Sequence, residues 1–268
     1  MHVFTKTWQN NNMEKRYTNQ NTLMKRLKSE IVPIIEVTSA KRKELFELYF
    51  RYFENVTLGI FLDHISHKDH VIILTDQKTS EVKGFCTLMV IELQLDGEKI
   101  IGIFTGDTII ERTHWGEQEL VRAFTFFCGK NAGIYKQQKV YWLLISKGYK
   151  TYRYLPVFTK DFYPNHTHVF PERLKSIRNA LASQLYPEEF DPQTELITFK
   201  NKIGNLRPGI GDIDEIRIQD PAIEFFAQKN PDHMKGVELA CIAELSLENL
   251  KSISKLYFQK GLESIKGK

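Results

Sequence analysis

The chain has 268 residues, of which 42% are hydrophobic and 12% aromatic, and carries a formal net charge of +4. That is enough apolar material for one core with an elaborated C-terminal part, and it excludes a disordered chain. The basic residues are scattered among acids, which argues against a nucleic-acid partner, and no run reaches the roughly 18 apolar residues that span a membrane. Cys86, Cys128 and Cys241 stand far apart in apolar runs, as reduced thiols of a cytoplasmic protein do, and none has the spacing of a zinc knuckle. The first residues, M-H-V-F-T-K-T-W, lack the charged start and apolar core of a signal peptide, which also predicts a cytoplasmic location.

Residues 1–35 read as an N-terminal extension, a flexible arm or a docked segment, polar and Asn-rich with little periodicity until Leu23, Leu27 and Ile31. Residues 36–268 read as one domain with an insertion at about 201–236. Thr38 and Ser39 can cap a helix with Leu45, Leu48, Tyr49, Tyr52 and Phe53 on one face, and a second helix is expected over 56–65. Residues 71–74 form a short buried strand. The polar turn 76–80 leads to a strand over 82–93, and Asp96-Gly97, a pair that tolerates the positive φ of tight hairpins, leads to another over 100–110.

The apolar run breaks at Glu111-Arg112-Thr113-His114 and resumes after Gly116 with Leu120, Phe124 and Phe127 at helical spacing. A turn is expected at 131–133, then a strand over 140–145, and a short helix over 146–154 that Pro156 stops. Residues 171–186 are an amphipathic helix and 195–200 a strand. Residues 205–220 are a loop, 222–228 a helix and 237–245 a strand, and Ser246 caps a last helix with Leu247, Leu250, Ile253 and Leu256 on one stripe.

Several side chains could carry chemistry. Asp107 interrupts an apolar strand; a carboxylate there is either hydrogen-bonded by neighbours or poised in a cleft as a base of raised pKa. His114, beside it in the turn, is a base, a phosphate contact or a solvent-facing loop histidine. His64, His67 and His70, with Asp63 and Asp69, have a metal-like look, but residues six apart on a helix diverge and Lys68 argues for a loop, so no metal site is expected. There is no Gly-x-Ser-x-Gly elbow, Walker loop or Gly-x-Gly-x-x-Gly, which removes the common hydrolase, NTPase and dehydrogenase readings.

The run of helix, helix, three antiparallel strands, helix, strand and helix over about residues 39–160 resembles the order of the Gcn5-related N-acetyltransferases, the GNAT superfamily. The resemblance implies a mixed, mostly antiparallel α/β sheet with a splayed pair of central strands, 100–110 and 140–145, and flanking helices. The pair 195–200 and 237–245 would complete the sheet.

The family's phosphate loop reads Arg-Gly-x-Gly-x-Gly/Ala. Here Gly116 is kept, Trp115 stands in place of the Arg, Gln118 and Leu120 replace glycines, and Glu117 and Glu119 add negative charge. By the resemblance, Ile109, Ile110, Trp115, Gly116, Glu117 and Gln118 would bind the cofactor. Asp107, Tyr152, Tyr154 and His114 are the catalytic candidates, with Tyr152 and Tyr154 nearest the family's thiolate-protonating tyrosine; the alternative for these tyrosines is packing. The donor would be acyl-CoA or an acyl-phosphopantetheine on an acyl-carrier protein, and the acceptor an amine-bearing small molecule or peptide. The glutamates of the loop either turn outward or mark a different donor.

Residues 155–164, with Phe225-Phe226 and Asn230-Pro231, resemble uncharacterised bacterial GNAT-like acyltransferases, and their aromatic content suggests walls for a long acyl chain or a bulky acceptor. The alternative is a catalytically inactive GNAT-fold binding module, favoured by the altered loop.

Overall fold

A computed structural model describes residues 27–136, 138–167, 171–200 and 204–266. The polar arm before Leu27, Leu23 included, lies outside the described residues, as does the start of the insertion at 201–203. Eight strands form one sheet in the order β1 (Leu27–Pro33), β3 (His70–Asp76), β4 (Val82–Leu95), β5 (Glu98–Ile110), β6 (Val140–Ser146), β10 (Glu238–Glu244), β8 (Leu196–Ile197) and β7 (Phe190–Asp191). Every neighbouring pair is antiparallel except β5 and β6, which run parallel. Parallel neighbours need a crossover, and helix α3 (Glu119–Ile134) supplies it. This mixed α/β sheet with its parallel central pair is a GNAT-like fold.

The strands read as near-continuous apolar runs because both faces are covered. On one face α3 lays Leu120, Phe124 and Phe127 over Ile72, Leu74, Leu88, Ile101 and Trp142. On the other, α1 (Ser39–Tyr52) and α2 (Leu58–Ser66) cover Val71, Ile73, Phe85 and Ile109, and α6 (Glu172–Leu185) covers Ile100, Phe104 and Leu143. Thr38 and Thr57 cap α1 and α2 by accepting from the Lys41 and Ile60 amides. The short helices α4 (Tyr149–Tyr152) and α5 (Tyr154–Phe158) follow β6. Later come α7 (Pro221–Lys229) and α8 (Ser252–Glu263). A two-stranded ribbon of β2 (Phe53–Glu54) and β9 (Asn205–Leu206) ties the insertion to the end of α1.

Five local expectations are corrected. Residues 27–33, expected to belong to the polar extension, form an edge strand paired with β3, with Leu27 and Ile31 turned to the core on a strand's period of two. Helix α3 runs through 131–133. Asn131 gives its side-chain amide to the Phe127 carbonyl, and Gly129 and Gly133 serve close packing on α8 and the residues after it instead of ending the helix. Pro156 sits inside α5, in the first turn, where its missing N–H has no partner to lose. The strand over 195–200 shrinks to Leu196–Ile197. Ser246 does accept from the Asn249 amide, but the turn stops after 247–249: Leu250 bridges to Thr159 and Lys251 donates to Phe158, so α8 starts only at Ser252.

Helices α3 and α8 meet backbone to backbone. A Cβ on Gly129 would stand 1.9 Å from the Phe258 carbonyl oxygen, and one on Gly261 would stand 2.2 Å from that of Phe126.

Candidate active site

The parallel ladder of β5 and β6 extends from Ile101↔Val140 to Thr105↔Leu144. Beyond it β5 continues to Ile110, and the two strands part. A cleft of about 2440 Å³ opens there, walled by α1 and α2, the second half of β5, residues 115–118, α4 and α5, and parts of the insertion.

Within this cleft β5 carries a bulge. Gly106 pairs with Thr87 and Ile109 with Phe85, so Asp107 and Thr108 together face Cys86. Asp107 takes φ 42°, a left-handed conformation that Asp adopts more readily than most residues. The bulge aims the Asp107 carboxylate at the α1–α2 side. There Oδ2 accepts from the Thr87 hydroxyl at 3.0 Å, and Oδ1 lies 3.5 Å from His64 Nδ1. The Asp107 side chain is 6% exposed and that of His64 48%, so the carboxylate is seated and the imidazole reaches into the cleft. With Nδ1 turned to Asp107, Nε2 is the nitrogen left to take up a proton.

A second carboxylate, Glu238 at the start of β10, also lines the cleft, 3.3 Å from Lys147 Nζ. Tyr49 and Tyr186 stand on opposite walls. Burial raises the pKa of both phenols, and both carboxylates add to that effect. The Lys68 amine, held 5.0 Å from the Phe104 ring, is pulled the other way: burial lowers its pKa, and the same two carboxylates partly offset the drop. This end of the cleft is aromatic and holds two carboxylates, Glu238 paired with Lys147 and Asp107 beside His64.

The other end is basic. After the 3-10 turn at Arg112–His114, Gly116 takes φ +97°, which a residue with a Cβ rarely adopts, and Gln118 starts α3 without a side-chain cap. The first amides of α3 are therefore uncapped where the helix meets the cleft, with the partial positive charge of a helix start. Glu119 turns away, accepting from Ser29 at 2.7 Å and facing Arg122. Glu117 lines the cleft.

Trp115 donates its indole N–H to the Ile110 carbonyl and takes Lys150 Nζ at 3.8 Å from its ring centre, with the Arg112 guanidinium at 5.3 Å. Lys150 also donates to the Ile210 carbonyl. Burial, then Arg217 and Arg112, lower its pKa to about 8, with Asp212 only partly opposing. Lys150, whose proton Arg217 and Arg112 disfavour, stands beside uncapped helix amides and forms with them a site suited to an anion, while Arg217 also pairs with Asp214.

All six cofactor positions expected from the sequence, Ile109, Ile110, Trp115, Gly116, Glu117 and Gln118, line this cleft, as do Asp107 and Tyr154. Tyr154 makes no hydrogen bond to a described residue, and burial, then the Cys86 thiol, raise its pKa, so its phenol stays protonated.

His114 and Tyr152 are not in the cleft. His114 is buried, bonded to Thr113 at 2.9 Å and facing Asp76, so it neither meets solvent nor reaches the cleft. Tyr152 is fully buried and donates to the Pro164 carbonyl. Tyr152→Phe is therefore expected to leave turnover intact while costing about 1–3 kcal/mol, because a buried carbonyl loses its donor; a thermal melt beside a turnover assay separates this core role from a catalytic one.

Phe225 and Phe226 pack against Tyr152 instead of walling the cleft, whereas Val157 and Phe158 do line it. The histidines read as metal-like diverge: His64 faces Asp107, His67 faces Asp63, and His70 packs on Phe127. Among the described residues no group of three or more His, Cys, Asp or Glu could hold a metal, and no helix is long and apolar enough to cross a membrane.

No family model matches the chain, and neither does any curated relative. Among solved structures it is similar to a conserved protein of unknown function from Enterococcus faecalis described as a probable N-acyltransferase, at 13% identity and TM-score 0.36, over 47% of this chain and 31% of that one. It is similar to Saccharomyces cerevisiae N-myristoyltransferase with bound myristoyl-CoA at 10% identity and TM-score 0.36, over 47% and 32%. It is also similar to a GCN5-related N-acetyltransferase from Brucella melitensis at 17% identity and TM-score 0.35, over 63% and 86%. The chain spans about a third of the length of the first two proteins.

Proposed function

We propose that the protein transfers an acyl group from a phosphopantetheine thioester, carried by CoA or by an acyl-carrier protein, to an amine. The observation that supports this most is the division of charge along one cleft. Lys150, Arg217 and the first amides of α3, with Arg112 behind them on the Trp115 ring, suit a phosphorylated donor, and Asp107 beside His64 suits a cationic amine. The two ends meet where β5 and β6 part, so a thioester and an amine bound at their matching ends come together, and proximity supplies much of the rate.

Each proton then has a place to go. His64, oriented by Asp107, takes the ammonium proton, and the free amine adds to the thioester carbonyl carbon. The carbon–sulfur bond breaks as Tyr154 gives its proton to the departing thiolate, and the second proton of the amine nitrogen, released as the amide forms, returns Tyr154 to the phenol. Asp107 acts through His64, so it is a positioning residue in this scheme and His64 is the base.

Calorimetry with CoA, acetyl-CoA and an acylated carrier protein tests donor binding, and thiol release in the presence of an amine pool tests transfer. Absence of binding by all three donors would leave the protein a GNAT-fold module without this activity.

The basic end has its own pH signature. The folded chain holds the Lys150 proton less tightly than the unfolded chain, so this group lets stability rise as pH climbs from about 8 toward the ordinary lysine value. A bound phosphate favours the proton, so donor affinity is expected to fall as pH rises through about 8. Lys150→Met should weaken donor binding about tenfold at neutral pH, the worth of a charge-assisted hydrogen bond, and flatten that pH dependence. Calorimetric titrations across pH measure both effects.

A further inference from the structure

On the α3 face of the sheet, directly behind the parting of β5 and β6, lies a second cavity of about 30 Å³. Cys86, Phe124, Trp142, Leu144, Leu245 and Leu250 enclose it. Its few polar groups are already occupied. The Trp142 indole donates to the Thr105 hydroxyl, Thr125 donates to the Val121 carbonyl, and Thr108 pairs with the Cys86 thiol. A water there would find almost no partner, and a dry apolar space of this kind takes an apolar guest.

The cavity is not isolated. Thr105, Tyr154 and Phe158 line both it and the cleft, so the way in passes the phenol that makes no hydrogen bond to a described residue. His64 and Asp107 lie on the opposite face, with α1 and α2. A carbonyl held at the parting can thus meet an amine from one face while its hydrocarbon tail points to the other.

We infer that this cavity seats the end of the acyl chain and that the donor carries a chain about one or two carbons longer than acetyl. The inference rests on the thioester-transfer reading above. The lining side chains come from β4, β6, α3 and the segment leading into α8, all fixed in the main core. A space of about 30 Å³ has room for about one or two carbon atoms, which sets an upper limit on length. Each methylene that enters it gains affinity, and one beyond that volume loses it.

The test is calorimetry without acceptor, using CoA, acetyl-, propionyl-, butyryl- and hexanoyl-CoA against the intact chain and two variants that change the cavity in opposite directions. Wild type is expected to bind propionyl- or butyryl-CoA about threefold to tenfold more tightly than acetyl-CoA, with no further gain for hexanoyl. Cys86→Leu, which fills the pocket, should bring the butyryl-to-acetyl ratio close to one. Phe124→Leu, which enlarges it, should move the optimum to a longer chain. A cooperative melt of each variant shows that it has folded.

Equal binding of acetyl, propionyl and butyryl esters by wild type, or an unchanged ratio in a folded Cys86→Leu, overturns the acyl-pocket inference and leaves the transferase reading standing. Failure of every thioester and of CoA to bind overturns both.

Discussion

His64→Gln is expected to lower kcat/KM for the amine by about 10²–10⁴-fold, the range a positioned general base contributes, with donor affinity unchanged. Glutamine keeps the size and polarity of the side chain but cannot take up the ammonium proton. Asp107→Asn should approach the same loss, because an amide beside Nδ1 no longer holds the ring in the orientation that leaves Nε2 free. The two residues act as one unit, so the double variant should be little worse than the worse single one. Thiol-release kinetics measure all of this. Wild-type rates from His64→Gln would remove the histidine from the mechanism and return the base role to Asp107, the residue first suggested by its place in an apolar strand.

The largest effect on stability is expected at Gly129. On an isolated helix Ala is favoured over Gly by about 1 kcal/mol, so propensity alone makes Gly129→Ala stabilising. The α3–α8 crossing reverses the sign. The new methyl would stand 1.9 Å from the Phe258 carbonyl oxygen, a backbone atom of a packed helix that cannot step aside as a side chain can. The expected cost is about 3 kcal/mol or more, the upper part of the range for overpacking, and about 10 °C in Tm for a chain of this size. Differential scanning calorimetry reads it. An unchanged or raised Tm would mean that α8 is not seated on α3 in this way. Gly261→Ala, facing the Phe126 carbonyl from the other helix, should behave alike.

Legibility from sequence followed the reach of each signal. The β4–β5 hairpin was readable because Asp96 and Gly97 both take the positive φ that the pair suggests, φ 52° and 81°. Helix α3 was readable because Leu120, Phe124 and Phe127 repeat at the helical period and are all buried. The basic end of the cleft was legible in position, since Trp115 and Gly116 fall between strand and helix. Its cations were not, because Lys150 and Arg217 come from α4's first turn and the insertion, and only the fold brings Lys150 to Trp115 and Arg217 near Lys150.

His64 was passed over for a related reason. It was weighed only with its sequence neighbours, while its partner Asp107 lies on a strand three elements later. A histidine beside Asp63 on the mostly apolar helix L-G-I-F-L-D-H-I-S was the one available hint. Tyr152 and Tyr154 could not be told apart by type. The break at Arg153 between α4 and α5 sends one phenol into the core and the other to the cleft.

The parting of β5 and β6 also bears on how the protein persists. The two leaves of the sheet, β1 to β5 on one side and β6 to β7 on the other, are stitched by five residue pairs. A donor lying in the parting touches both leaves and acts as a rivet between them. Each tenfold rise in its concentration above Kd then adds about 1.4 kcal/mol to the folded state. Where opening governs turnover by proteases, the abundance of the protein would track the supply of its donor, making the chain a gauge of the metabolite it consumes.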